Sequence, residues 1–385
     1  MLGEGWRTYS DGVSRLDPTL GLDRGAPPLA DAAAAFGPAP GNGRAQPTAM
    51  TVCALIVTFN RKELLACCID AVLAQTSPVS ELYVVDNAST DGTPELLRER
   101  GYLDRPEIRY VRLDENSGSS GGFAAGIAAG RRSEADWLWV MDDDAEPEPE
   151  TLERLLTSDA AGDPETAALC STVIKPDGSV DLRHRGAFRR RPRPLPLSAY
   201  EPGSVPELDF FTFVSVLFPM RVVRAEEPPF ADFFIWCDDY EYSFRIRDHG
   251  RIRLVADSRM LHRDAGQSYT NRRSRFWNRM FGWSYDPTPI EGFWRNICGV
   301  RNYVWIKKRY EGQGPLGSWL TIGWFVLKTL LYDERPLRRI PWLVRYGRAG
   351  RRDGEFANVS PAEWAAMVRR SGAERRRAIP RARRS

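Results

Sequence analysis

Residues 137–144 read WLWVMDDD, so five large apolar residues run directly into three aspartates. An uninterrupted apolar run of this kind indicates a strand that is buried on both faces. Such a strand is usually followed by a turn of small polar residues, and three adjacent like charges repel one another. The stretch therefore predicts an interior strand that ends at a site where something offsets this repulsion.

The same stretch is one of several apolar strands that alternate with amphipathic helices. Strands are predicted at 51–59, 81–86, 107–113 and 136–142, and helices at 61–76, 89–100, 120–132 and 146–158. This alternation predicts an α/β fold with a doubly wound, mostly parallel sheet. Ligands of such sheets bind beyond the carboxyl ends of the strands.

The second half of the chain has a different pattern. Strands are predicted at 168–174, 208–218 (one long strand or a pair) and 251–257, a loop at the Arg- and Pro-rich 183–206, and a helix at 238–250. From about residue 270 the chain is aromatic and basic, which indicates a helical region. The predicted domains are a leader without a folded role (1–49), a catalytic domain (50–265), a helical, membrane-proximal region (266–334) and a basic tail (335–385).

Composition narrows the possible classes of protein. The hydrophobic fraction of 42% is sufficient for a large core. Six cysteines without metal-binding spacing indicate free thiols in a reducing compartment, and three histidines exclude a His-rich metal site. The tail contains 15 arginines and four acids, which is typical either of a solvated, partly disordered end or of attraction to an anionic surface.

Polar groups follow all four of the first strands, in TFNR (58–61), DNAS (86–89), ENSGSSGGF (115–123) and DDD (142–144). Parallel strands would bring these groups into one crevice. Neither GxGxxG nor GxxxxGK[ST] follows the first strand, which disfavours hydride transfer with NAD and P-loop ATPases. Carboxylates that converge at a strand end favour a divalent cation, with Asp142 and Asp144 on one face of the strand. The alternative is an acidic entry to the following helix.

A second group of carboxylates lies in WCDDYEYSFR (236–245), at the predicted start of a helix. Asp238 and Asp239 are both placed to accept a proton, and neighbouring acids push their pKa values apart. Trp236 comes directly before this pair. Glu241 and Arg245 are spaced i,i+4, so a structural ion pair is an open alternative to a binding role for Glu241.

These motifs together resemble the inverting family-2 glycosyltransferases with the GT-A fold for nucleotide-diphospho-sugars. The resemblance covers residues 51 to about 265. Within the family, the chain is most similar to bacterial galactofuranosyl- and rhamnosyltransferases. Its motifs are VTFNR (57–61), VVDNASTDGT (84–93), NSGSSGGFAAGI (116–127), WVMDDDAEPEPETLERLL (139–156) and FFIWCDDYEYSFRI (233–246).

The resemblance implies a role for each matching residue. It implies Asp239 as the catalytic base with Asp238 beside it, and Trp236 and Glu241 at the acceptor. A cation, Mg²⁺ or Mn²⁺, would be held by Asp142, Asp144 and His262, although an ordinary loop role for His262 remains open. The nucleotide-sugar would contact Thr58, Asn60, Arg61, Asp86, Asn116, Gly121, Gly122 and Asp143.

The resemblance further implies single-displacement transfer of a sugar from a UDP- or dTDP-linked donor to a glycan hydroxyl. We expect a cytoplasmic protein, placed at the inner face of the cell membrane if its acceptor is linked to a polyprenyl lipid. The alternatives are a sugar-1-phosphate nucleotidyltransferase and a non-catalytic membrane partner. The glycine-rich loop that a nucleotidyltransferase has after its first strand is absent from this sequence, which has TFNRKE there. LGSWLTIGWFVLKTLLY (316–332) has 17 residues and one lysine. It is interpreted as an interfacial helix, with a core helix or a short span as alternatives. No nucleic-acid-binding motif is present.

Overall fold

The computed structural model describes residues 50–189, 191–263, 270–281, 287–352, 363–366 and 368. The predicted leader (1–49) and most of the predicted tail beyond residue 352 lie outside these ranges. The strands are β1 (Val52–Thr58), β2 (Glu81–Asp86), β3 (Ile108–Arg112), β4 (Trp137–Asp142), β5 (Ala145–Pro147), β6 (Thr166–Ile174), β7 (Arg185–Arg189), β8 (Arg191–Pro194), β9 (Glu207–Leu208), β10 (Phe210–Phe211), β11 (Val216–Pro219) and β12 (Arg251–His262).

Helices cover the sheet and form the C-terminal part of the described chain. They are α1 (Lys62–Leu73), α2 (Thr93–Glu99), α3 (Gly118–Gly130), α4 (Thr151–Thr157), α5 (Met220–Ala225), α6 (Asp238–Ile246), α7 (Arg272–Phe281), α8 (Trp294–Tyr310), α9 (Pro315–Tyr332) and α10 (Pro336–Ala349).

The main sheet has the strand order β3-β2-β1-β4-β11-β6-β12-β5, and β9 also pairs with β12. Strands β3, β2, β1 and β4 are parallel, whereas β11 lies antiparallel between β4 and β6. Leu138 and Val140 of β4 pack into one hydrophobic cluster, and Trp139 and Met141 pack into the cluster on the other face. The prediction of an interior strand at WLWVM is therefore confirmed, as is the mostly parallel α/β sheet.

The structure corrects two boundaries around the aspartates. The predicted helix at 146–158 starts only at Thr151, because residues 145–147 form β5, which pairs antiparallel with the end of β12. Strand β12 correspondingly runs to His262 rather than ending near residue 257. In this pairing His262 lies opposite Ala145, so it is brought next to the aspartates by the sheet itself.

The prediction of a loop at 183–206 is wrong for part of that segment. Strands β7 and β8 pair antiparallel there, and β10 pairs with the other side of β7. The fully buried Arg185 secures the hairpin, since its guanidinium donates hydrogen bonds to main-chain carbonyls that include those of Ser171 and Ser215. Pro192 and Pro194 are tolerated because β8 is an edge strand of this small sheet.

The C-terminal helices pack on one another around a third hydrophobic cluster, which includes Ile297, Val304, Ile322 and Leu343. The predicted tail boundary at residue 335 falls at the start of α10, so residues 336–349 are a packed helix and not a tail. The boundary at 265 lies outside the described residues. No helix in the described part of the chain has the length and apolar character needed to cross a membrane.

Candidate active site

The three aspartates occupy the turn between β4 and β5. Asp143 and Asp144 are each only 4% exposed, and Asp142 is the last residue of β4. Burial, together with repulsion from Asp144 and Asp143, raises the pKa of Asp142 well above its ordinary value. Burial also raises the pKa of Asp143 to about 7. Carboxyl groups perturbed in this way at a strand end are typical of functional sites.

Asp143, whose role the sequence does not define, contacts the end of β1. Its carboxylate accepts a hydrogen bond of 2.7 Å from Thr58 Oγ1 and lies 3.5 Å from Arg61 Nη1. Strands β1 and β4 are hydrogen-bonded neighbours, with Val57 opposite Asp142, so this contact follows from the register. The structure thus brings Thr58, Arg61 and Asp143 together, and their contact with a nucleotide-sugar stays a prediction.

The carboxylate of Asp144 contacts two side chains, the guanidinium of Arg61 and the imidazole of His262. Arg61 Nη1 lies 2.7 Å from its Oδ2, and His262 Nε2 lies 3.3 Å from its Oδ1. Burial alone would raise the pKa of Asp144, but the contacts with His262 and Arg61 outweigh this effect and hold the pKa below its ordinary value. The predicted pairing of His262 with the aspartates is therefore present in the structure.

These residues fit a divalent cation. Oδ1 of Asp144 and Nδ1 of His262 are buried atoms for which no described residue is a hydrogen-bond partner. Carboxylate oxygen and imidazole nitrogen are ligands that Mn²⁺ accepts, and carboxylate oxygen is also a ligand of Mg²⁺. Sequence reasoning missed that Asp181 and His184 lie here as well: one ligand atom each of Asp181, His184 and His262 falls within 4.8 Å of the others.

The predicted nucleotide residues of the second and third strand ends are engaged in local structure. Asp86 is fully buried and accepts hydrogen bonds from Ser89 N–H (2.7 Å) and Tyr110 Oη (2.6 Å). Asn60 accepts a hydrogen bond from Thr90 N–H (2.6 Å), which ties the first strand end to the second. As Asp86 stands, it shapes the turn after β2 and presents no surface to a ribose.

The glycines that open α3 are explained by close packing. A Cβ on Gly121 would lie 2.3 Å from Ser117 Oγ, and one on Gly122 would lie 2.6 Å from Val57. Asn116 accepts a hydrogen bond of 2.8 Å from Gly118 N–H and thereby organises the entry to the helix. The predicted contacts of these residues with the donor therefore stay predictions, because packing alone accounts for the glycines.

The second carboxylate pair begins α6. Burial raises the pKa of Asp238 to about 6, and burial together with the Asp238 charge raises the pKa of Asp239 well above its ordinary value. The charge of Asp238 also contributes to the raised pKa of Asp142. The two carboxylate groups, one at the end of β4 and one at the start of α6, are therefore close enough to interact electrostatically.

Glu241 does not face this site. It is 3% exposed, and Arg245 donates to both of its carboxylate oxygens at 2.8 Å, while Tyr310 Oη donates to Oε1 at 2.7 Å. The structural ion pair that the sequence left open is thus what the structure contains. The acceptor contact predicted for Glu241 is contradicted by this geometry, because both oxygens are used within the protein.

Trp236, by contrast, is available to a ligand at 43% exposure. One side of its ring lies against Gly299 of α8, where a Cβ would be 2.7 Å from the ring. Phe234, Trp236 and Cys237 all have positive φ, a conformation that is strained for residues other than glycine and is typical of functional sites. The structure thus holds the predicted sugar platform in a strained loop directly before the carboxylates of α6.

Comparisons with known proteins agree with this fold. Residues 53–215 match the model of glycosyl transferase family 2. Galactofuranosyltransferase GlfT1 of Mycolicibacterium smegmatis is 39% identical over 107 residues, which are 28% of this chain and 34% of the relative. The chain thus spans about a third of the length of that relative.

Two further likenesses extend beyond this segment. Galactofuranosyltransferase GlfT1 of Mycobacterium tuberculosis (strain ATCC 25618 / H37Rv) is 27% identical over 314 residues, which cover 78% of this chain and 98% of the relative. Among solved structures, GalNAc-T7 with UDP, GalNAc and Mn²⁺ superposes with a TM-score of 0.51 at 14% identity, over 78% of this chain and 55% of the other. This likeness shows a shared GT-A fold.

Proposed function

Because the chain belongs to glycosyl transferase family 2 and is a glycosyltransferase, we propose that it moves a sugar from a nucleotide-diphosphate donor to a glycan hydroxyl with inversion. The observation that supports the proposal is the contact of Asp144 with His262, together with the charge of Asp238, which reaches Asp142 from the start of α6. Inverting transfer needs these two functions together: a group that holds the diphosphate and a base at the acceptor.

The donor sugar that we favour is galactofuranose, with rhamnose as the second choice. Two relatives that match this chain are named galactofuranosyltransferases, and one of them is matched over nearly its whole length. We accordingly place the reaction in the synthesis of a cell-wall or capsular polysaccharide, with a glycan or a polyprenyl-linked glycan as the acceptor.

In the proposed mechanism the acceptor sugar lies against the exposed ring of Trp236. The edge of the sugar that carries the attacking hydroxyl faces the start of α6. Asp239 takes the proton of the attacking hydroxyl as the new bond forms at the anomeric carbon, and the nucleoside diphosphate leaves from the opposite face. Asp238, more deeply buried, keeps the pKa of Asp239 high and so makes it a stronger base. Arg61 adds positive charge beside the departing diphosphate.

Asp142, Asp144 and His262 would hold Mg²⁺ or Mn²⁺, which when bound supplies positive charge that neutralises the leaving diphosphate. Asp143 contacts Thr58 and Arg61. In our proposal it thereby supports the donor side of the site. Membership of the glycosyltransferase family argues against the two alternatives, a sugar-1-phosphate nucleotidyltransferase and a non-catalytic partner.

We further propose that the protein works at the inner face of the cell membrane through α9. Leu316 and Leu320 of this helix are 74% and 68% exposed, and Trp319 is also exposed beside Arg348 and Arg351. Exposed apolar residues next to tryptophan and arginine are typical of helices that bind the membrane interface. This arrangement would bring a lipid-linked acceptor close to the active site.

A donor panel tests the proposal. The full chain would be incubated with Mn²⁺ and with UDP-galactofuranose, dTDP-rhamnose or UDP-hexopyranoses, and its melting temperature measured. We expect UDP-galactofuranose to raise the melting temperature most, and chelation of the metal to remove the effect. If none of the nucleotide-sugars raises the melting temperature, or if all of them raise it equally, the proposed donor is contradicted.

A further inference from the structure

A cavity of about 170 Å³ lies between the C-terminal helices and the loop that precedes α6. Its lining includes Trp236 of that loop, Asn296 of α8, Phe325 and Lys328 of α9, and Leu343 of α10. The volume is far larger than the roughly 10–15 Å³ that one water molecule needs, so the cavity has room for an organic ligand. Within the proposed function only Trp236 has a role, and the rest of the cavity has none.

The cavity adjoins the place where the acceptor is proposed to react. Trp236 lies two residues before Asp238 and three before the proposed base Asp239, and it is also part of the cavity wall. Its ring is held against α8, where a Cβ on Gly299 would lie 2.7 Å from it. A glycan that rests on this ring at the start of α6 can therefore continue into the cavity.

Two polar groups of the lining are suited to a ligand that carries hydroxyl groups. Asn296 is 8% exposed, and its Oδ1 is a buried atom for which no described residue is a hydrogen-bond partner. Buried polar atoms rarely lack a partner, so this oxygen indicates a ligand that donates a hydrogen bond. The ammonium of Lys328 has only donors to offer. Thr329, another lining residue, is used within the protein, since its hydroxyl donates a hydrogen bond of 2.9 Å to Asp333.

The remaining walls are apolar, because Trp236, Phe325 and Leu343 contribute two aromatic rings and an aliphatic side chain. Apolar walls with a few fixed polar groups are typical of small-molecule sites. An acyl chain would match the walls but would leave the Asn296 oxygen without a partner. A sugar unit matches both features: its C–H groups pack on the rings, one hydroxyl donates to Asn296, and another oxygen accepts from Lys328.

We propose that this cavity is a second acceptor subsite, which holds the sugar unit next to the one that receives the new residue. The inference rests on the proposed function, because it takes the ring of Trp236 as the platform of the reacting sugar. The enzyme then recognises at least two units of its acceptor. Asn296 and Lys328, on two of the C-terminal helices, select which glycan is extended.

The test is binding of immobilised synthetic octyl glycosides to the full chain with UDP and Mn²⁺, so that no sugar is transferred. Each disaccharide of the panel is paired with the monosaccharide that forms its terminal unit. The unaltered protein should bind at least one disaccharide about tenfold or more tightly than its monosaccharide. Asn296→Leu and Lys328→Met should each lower binding of that disaccharide about tenfold more than binding of the monosaccharide, because each removes one hydrogen bond to the second unit.

Two further variants separate a subsite from a structural role. Leu343→Phe adds bulk to the opposite wall of the cavity and should remove the preference for the disaccharide while Asn296 and Lys328 stay in place. Lys308→Met is the matched control for Lys328→Met, because Lys308 donates a hydrogen bond to the Arg351 carbonyl and should not change the preference.

The inference is overturned if the unaltered protein binds no disaccharide better than its monosaccharide, or if Asn296→Leu and Lys328→Met weaken both alike. It is also overturned if Leu343→Phe, folded as judged by its melting temperature, keeps the preference. Release of UDP that depends on an acceptor is measured separately with a nucleotide-sugar donor. If that release is normal while the binding preferences are absent, the proposed transfer stands and only the subsite fails; if the preferences are present without release, the proposed function fails instead.

Discussion

The side-chain amide of Asn302 donates a hydrogen bond of 2.8 Å to the main-chain carbonyl of Trp236. The same amide group reaches the carbonyls of Phe233 and Ile235, and Arg301 donates to the Phe233 carbonyl as well. Both side chains are fully buried on α8. The C-terminal helices therefore hold the strained loop that presents Trp236 and starts α6, and they are part of the active site rather than an appendage.

Replacing Asn302 with Ala should lower transfer more than it lowers donor binding. The carbonyls of Ile235 and Trp236 would lose this partner, whereas that of Phe233 would keep Arg301, at a cost of about 1–3 kcal/mol in the free energy of unfolding. The loop would then relax away from its strained conformation, so the KM for the acceptor should rise while the affinity for UDP with Mn²⁺ stays unchanged. If transfer and UDP binding fall together, in proportion to the fraction of unfolded protein, Asn302 has only a structural role.

Asp144→Asn and Asp142→Ala should both remove metal-dependent binding of UDP, measured by calorimetry with and without Mn²⁺. The reason is the loss of a carboxylate ligand from a site where two acids and His262 converge. Asp177→Asn is a suitable control, because this exposed acid accepts a hydrogen bond from Ser179 within its own turn. If the variants turn over substrate as fast as the unaltered protein, both with added metal and with chelator, Asp142 and Asp144 are not ligands of a catalytic metal.

Asp239→Asn should retain donor binding and lose transfer by about 10²–10⁴-fold, since an amide cannot accept the acceptor proton. Asp248→Asn, at the exposed end of the same helical segment, should be without effect. Rates would be measured as release of UDP that depends on the acceptor. Normal transfer by Asp239→Asn together with an inactive Asp238→Asn would move the base to Asp238.

The pH dependence of kcat/KM should show an acid limb above the usual range of carboxylates. Burial raises the pKa of Asp238 to about 6 and that of Asp239 well above its ordinary value, and a general base acts only when it is deprotonated. Activity should therefore fall as the pH is lowered toward and below 6 and increase toward alkaline pH. A rate that is constant down to pH 5 would exclude both acids as the base.

Membrane binding should depend on the exposed face of α9. Leu320→Glu combined with Leu327→Glu should reduce sedimentation with vesicles that contain anionic lipid, because both leucines are exposed on this helix. Leu197→Glu is the matched control, since Leu197 is 64% exposed but lies between β8 and β9 of the catalytic part. These variants are sharper than removal of residues 335–385, which would also delete the packed helix α10. Equal sedimentation of all variants would contradict membrane contact through α9.

The alternation of the first four strands with helices and the position of the three aspartates could be predicted from the sequence, because both depend on local patterns: apolar runs, helical spacing and acids at a strand end. The role of Asn302 could not, since it depends on the packing of α8 against a loop 66 residues earlier. His262 was proposed from resemblance, but its contact with Asp144 comes from the pairing of β12 with β5, which the sequence does not reveal.

Two residues show the opposite limit. Asp86 and Glu241 have the residue type and the position of ligand-binding acids, yet both are buried and satisfied by neighbouring side chains. A motif identifies which residues are near a strand end or a helix start, but which way each carboxylate points depends on partners such as Tyr110 and Tyr310 that lie elsewhere in the chain.

The most direct test of the proposed function is product analysis with the full chain, UDP-galactofuranose, Mn²⁺ and a short polyprenyl-linked glycan acceptor. If the proposed donor and mechanism are right, UDP is released and a new galactofuranosyl residue forms whose anomeric configuration, measured by NMR, is opposite to that of the donor, and both are lost in Asp239→Asn and on chelation of the metal. A product that retains the donor configuration, or transfer that persists in Asp239→Asn and in chelator, would contradict the account.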